Sequence, residues 1–138
     1  MNIVPIEIGD RVYGFEVSDV REILATPEVT YVPFAPHWVV GLANVRGEIV
    51  TVVSLPERLG DTVASAESVK TAPQLVMVAG AHRTSFGVLV QRVGSVRTVG
   101  DDQLTPAQHV CERGRVIVDQ ISLGIMNPIA ILEGGTNG

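Results

Sequence analysis

The chain has 138 residues, 46% hydrophobic and 18% charged, and therefore enough apolar surface to offset chain entropy. A net charge of −5, one lysine (Lys70) among ten basic residues and six aromatic side chains exclude a phosphate-tracking or base-stacking surface, so no nucleic-acid partner is expected. One cysteine, Cys111, excludes an intrachain disulfide, and neither a signal peptide nor an apolar stretch of membrane-spanning length is present, so a cytoplasmic protein with no direct membrane insertion is expected.

In chain order, short β-branched runs predict strands at Ile3 to Ile8, Val12 to Val17, Ile49 to Val53, Leu75 to Ala79, Ser85 to Val90, Val116 to Val118 and Ile129 to Leu132. Turns rich in glycine or acids separate most of them, among them Gly9-Asp10 and Arg46-Gly47-Glu48. Several runs lack polar alternation, which predicts strands covered on both faces. Helix is scarce. Val20, Ile23 and Leu24 stand at i, i+3 and i+4 behind Asp19, with Glu22 as its capping partner, which predicts one or two helical turns ending at Pro27. Thr105-Pro106 predicts another single turn. Gly60 to Pro73, small and polar, reads as a surface loop.

The segment Tyr13 to Ile23, opening Tyr13-Gly14-Phe15, aligns with Phe86 to Val96, opening Phe86-Gly87-Val88, at an offset of 87 − 14 = 73 residues, about half the chain. This predicts one supersecondary unit used twice within a single domain spanning residues 1–138.

Catalytic patterns are missing. His37, His82 and His109 fall in separate turns, and His109-Val110-Cys111 is too small a set for zinc, so no metal site and no cofactor is expected. Asp101-Asp102 is an adjacent pair in a turn, not two carboxyls facing across a cleft. Neither a phosphate-cradling glycine loop nor a nucleophile elbow occurs, and Cys111 reads as a small core hydrophobe. The expected protein is not an enzyme.

The centre of the chain is more specific. Val20-Arg21-Glu22-Ile23 is followed by Val32-Pro33, Pro36, and then Gly41-Leu42-Ala43-Asn44-Val45-Arg46-Gly47-Glu48-Ile49-Val50. This resembles the CheW family of chemotaxis coupling proteins, marked by a Val-x-Glu-Ile helix and a Gly-x-x-Asn-x-Arg-Gly segment before an apolar strand. Gly87-Val88-Leu89-Val90-Gln91-Arg92-Val93 is similar to the family's second signature.

The resemblance implies an all-β fold of two five-stranded SH3-like barrels packed on a shared apolar seam, with one or two short helices. It also implies a non-catalytic adaptor in a chemosensory signal-transduction pathway, joining the tip of a chemoreceptor to the regulatory domain of a CheA-type histidine kinase. The receptor- or kinase-binding positions carried over are Val20, Glu22, Gly41, Arg46, Gly47, Gly87 and Val96. Val20 and Val96 would wall an apolar groove. Arg46 would reach an acceptor on the partner, and the three glycines would set backbone shape.

Three departures stand out. Ser54 and Gln91 replace family aspartates, removing acceptors expected to fix loops, and the end of the chain lacks the usual motif and its helix. These departures leave open a module with a single partner in a chemosensory system serving pili or gliding. A small ligand-binding barrel of the OB type is the reading from outside the family.

Overall fold

The computed structural model describes residues 1–61 and 72–133, so most of the loop expected between Gly60 and Pro73 lies outside the described residues. Among the described residues twelve strands form two sheets. The first holds β1 (Asn2–Ile8), β2 (Arg11–Glu16), β9 (Arg92–Val93), β10 (Arg97–Thr98), β11 (Glu112–Val118) and β12 (Ile121–Met126), ordered β10-β1-β2-β12-β11 with β9 also on β1. The second holds β3 (Val20–Ala25), β4 (Val29–Thr30), β5 (Val39–Val45), β6 (Glu48–Val53), β7 (Gln74–Ala79) and β8 (Ser85–Val90), ordered β3-β7-β8-β6-β5-β4. Among the described residues two short α-helices, α1 (Leu55–Leu59) and α2 (Pro128–Glu133), complete the frame.

Each sheet has six strands where five are expected. The extra ones are two-residue pieces. β9 and β10 share β1 as a partner, and β4 adds a short margin beside β5.

The second sheet must curl. β3 and β4 end its strand order, five spacings or about 24 Å apart if the sheet were flat. Only Thr26, Pro27 and Glu28 join them, a link reaching at most about 14 Å. The first sheet brings its margins together by side chains, since Arg97 on β10 pairs with Asp119 in the β11–β12 turn.

Five of the seven predicted strands are present near their expected bounds, and Val116 to Val118 is the end of the longer β11. β8 from Phe86 to Val90 and the middle of β7 are buried, as the lack of polar alternation requires. Three expectations need correction. The predicted helix over Ser18 to Leu24 is a single 3-10 turn, Val17–Asp19, running into strand β3. Thr105-Pro106 forms no helical turn, because Thr105 bridges Arg115 instead. Ile129 to Leu132, predicted as a strand, lies in α2, so the chain does carry a helix near its end.

The main core runs across both sheets, from Ile6, Ile8 and Phe15 in the first to Val52, Val76, Phe86 and Val88 in the second. A smaller cluster, Ile3, Val99, Val116, Leu123 and Ile125, belongs to the first sheet. Gly14 and Gly87, the glycines matched by the 73-residue offset, occupy matching lanes. Each lies on a strand with an antiparallel hairpin partner on one side and a parallel partner on the other.

Candidate interaction site

The site grows from a two-residue hairpin. Val45 pairs with Glu48, so Arg46 and Gly47 alone make the β5–β6 turn. Both have positive φ, 51° and 85°, the backbone of a type I′ turn whose twist matches the flanking strands. Glycine takes this conformation without strain at Gly47, and Asn44 Oδ1 accepts the Gly47 N–H at 2.8 Å. The Asn-x-Arg-Gly segment is therefore a self-capped hairpin tip that projects one arginine.

Arg46 finds its acceptor within the chain. Nη1 donates to Glu22 Oε1 at 2.7 Å and Nη2 to Glu22 Oε2, a fork on both carboxylate oxygens. Glu22 reaches it from β3, whose outward residues are Arg21, Ile23 and Ala25 and whose register on β7 shifts between Val20 and Glu22. Glu22 thus caps no helix. It fastens the margin of the curled sheet to a hairpin tip. Arg46 remains well exposed even when paired, so a partner can still reach the guanidinium.

The other carried-over positions divide. Glu22, Arg46 and Gly47 meet at the hairpin tip, while Val20, two residues before Glu22 on β3, is half-buried against the main core. Gly41 and Gly87 are buried and present no surface. A Cβ on Gly41 would sit 2.2 Å from the Thr30 carbonyl oxygen, and one on Gly87 would sit 2.7 Å from Leu75 Cδ1. Both set how closely strands approach. Val96 is 55% exposed between β9 and β10, beside the first sheet.

The two replaced aspartates still supply acceptors. Ser54 caps α1, its Oγ accepting the Glu57 N–H, and Gln91 Oε1 accepts the Gly9 N–H at 2.8 Å, pinning the β1–β2 turn. The expected loss of loop-fixing acceptors is therefore not found.

Sequence reasoning missed a second tip. Asp119 and Gln120, with φ of 51° and 68°, make the β11–β12 hairpin, and Asp119 receives Arg97 from the opposite margin of its sheet. The geometry repeats the first tip with the charges exchanged. No glycine marks this turn, so turn chemistry gave no signal. Elsewhere a polar cleft of about 470 Å³ contains Tyr13, whose hydroxyl donates to Asp61 Oδ2 at 3.1 Å. Burial and the Asp61 carboxylate both push the Tyr13 phenol well above its ordinary pKa. Among the described residues no group of three metal-ligating side chains forms, and no helix is long and apolar enough to cross a membrane.

The CheW-like domain model matches residues 2–133, nearly the whole chain. The chain belongs to the CheW-like family. A probable chemotaxis protein CheW of Rhizobium etli is 30% identical over 108 residues, covering 78% of this chain and 67% of that protein. The chemotaxis protein CheW of Treponema pallidum is 27% identical over 107 residues, covering 77% and 63%. The fold of this CheW-like chain is also that of the scaffolding protein TtCheW from Thermoanaerobacter tengcongensis, with a TM-score of 0.82 at 21% identity over 96% of this chain and 92% of the other.

Proposed function

We propose that this CheW-like chain is a non-catalytic adaptor at the cytoplasmic face of the membrane. It joins the tip of a chemoreceptor hairpin to the regulatory domain of a CheA-type histidine kinase. The observation that carries the reading is the Glu22–Arg46 fork, which holds an exposed arginine at a hairpin tip. Rigid placement lowers the ordering cost of docking, and a fixed guanidinium can meet an acceptor on the polar side of an amphipathic helix.

Calorimetric titration of the chain with a receptor hairpin fragment, and separately with the kinase regulatory domain, tests it. Arg46→Glu should weaken one of the two titrations at least about tenfold while the other persists. The wild type should show a negative heat-capacity change for each partner. Normal binding of both partners by the variant would remove the hairpin tip from the site. No binding of either by folded wild type would end the adaptor reading.

A further inference from the structure

β11 pairs with β12 through a register shift between Glu112 and Gly114, which makes Arg113 the extra residue of a β-bulge. Gly114 lets the bulge lie close to its neighbour, since a Cβ there would sit 2.7 Å from Leu104 Cγ and 2.8 Å from the Thr105 carbonyl oxygen. A bulge re-aims its side chain, and this one sends Arg113 past β12, which lies between β11 and β2. Arg113 Nη1 donates to Glu16 Oε2 at the end of β2 and, at 2.7 Å, to Asp19 Oδ2 in the 3-10 turn that follows.

Those two acids bound the crossover from the first sheet into β3 of the second. The turn Val17–Asp19 buries none of its residues and has no side-chain cap. The Arg113 side chain is 35% exposed against 69% for Arg46, so it sits as an internal clasp rather than a group awaiting a partner. An isolated exposed ion pair would hold little. Here one nitrogen serves two carboxylates, and without it the two acids repel each other across the turn.

Glu22 stands three residues beyond Asp19, and β3 slips its register on β7 between Val20 and Glu22. The ladder alone therefore does not fix the start of β3, and the crossover decides how Glu22 meets Arg46. We propose that Arg113 is a positioning residue for the Glu22–Arg46 fork, acting through the β2–β3 crossover that it clasps. Its consequence for partner binding rests on the adaptor reading, whereas the positioning itself does not.

Nitrogen-15 NMR of the free chain tests the positioning. In Arg113→Met the guanidinium protons of Arg46 should exchange with water at least about threefold faster than in wild type, because the fork opens more often. Those of Arg97, paired with Asp119 at the other hairpin tip, should keep their wild-type rate. Arg113→Lys keeps a cation between the acids and should restore most of the Arg46 protection. Adding Asp19→Asn to Arg113→Met removes the repulsion and should recover part of it. In calorimetry Arg113→Met should weaken about fivefold the same titration that Arg46→Glu weakens, and leave the other as it was. Unchanged Arg46 exchange in folded Arg113→Met would overturn the proposal, as would equal acceleration at Arg46 and Arg97, the mark of general loosening. Should Arg113→Met fail to fold, the polar Arg113→Gln takes its place under the same two outcomes. Wild type that binds neither partner ends the adaptor reading and leaves the NMR comparison to decide this one.

Discussion

Arg58 shows what one side chain can hold in place. It is 3% exposed on α1, its Nε donates to the Ile131 carbonyl at 2.8 Å and Nη2 to the Ala130 carbonyl at 3.1 Å, and its guanidinium stands 5.6 Å from the Trp38 ring centre. A buried cation persists only when its donors are satisfied, and here the carbonyls of α2 and an aromatic face share that task. Replacing it by methionine leaves those carbonyls without donors and should cost about 3 kcal/mol, a melting-temperature drop on the order of 10 °C. A melt within a degree or two of wild type would show that α2 is held by Ile131 alone. Tyr13 gives a pH signature. Its folded-state pKa lies above the unfolded value, so its contribution to stability is complete below about pH 10 and is lost as pH rises beyond that. Tyr13→Phe should remove that alkaline limb from a stability-versus-pH curve while leaving the neutral region's slope unchanged.

At the scale of elements, β3 and α2 show where local pattern loses to packing. Val20, Ile23 and Leu24 satisfy helical spacing, yet the six residues Val20–Ala25 alternate half-buried and exposed once β7 lies alongside. A segment this short fits both periods, and the available partner strand decides. Ile129 to Leu132 is the converse. Four apolar residues read as strand, but Pro128 opens a helix and Arg58 donates to its carbonyls. By contrast β1, β2, β6, β7 and β8 were legible because their β-branched runs are bounded by turns. The Arg46-Gly47 turn was legible for the same reason, while its Glu22 partner, 24 residues away, follows only from curling of the sheet. Gly41 tests that curl. Gly41→Ala would drive a methyl into the Thr30 carbonyl and should cost about 2 kcal/mol or more by parting β4 from β5. Denaturant melts check it, and unchanged stability would mean that β4 is free to move aside.

The chain path makes the two sheets interdependent. β1 and β2 open the chain, β11 and β12 close it, and all four share one sheet, while every strand of the second sheet lies between them in sequence. The first sheet thus forms only when distant chain segments meet, which costs loop entropy before its contacts repay it. Its private cluster of five residues is small, and its larger apolar share, Ile6, Ile8 and Phe15 among others, lies in the core common to both sheets. Neither sheet therefore buries its apolar face alone, and the molecule should unfold as one cooperative unit. Two truncations separate this from stepwise unfolding. Leu123→Ala empties space in the private cluster and Val88→Ala in the common core, each costing about 2–4 kcal/mol. Under one-unit unfolding, both variants show a single calorimetric transition shifted downward, with equal calorimetric and van't Hoff enthalpies. If the sheets unfold separately, Leu123→Ala instead splits off an early transition and leaves the later one at its wild-type temperature.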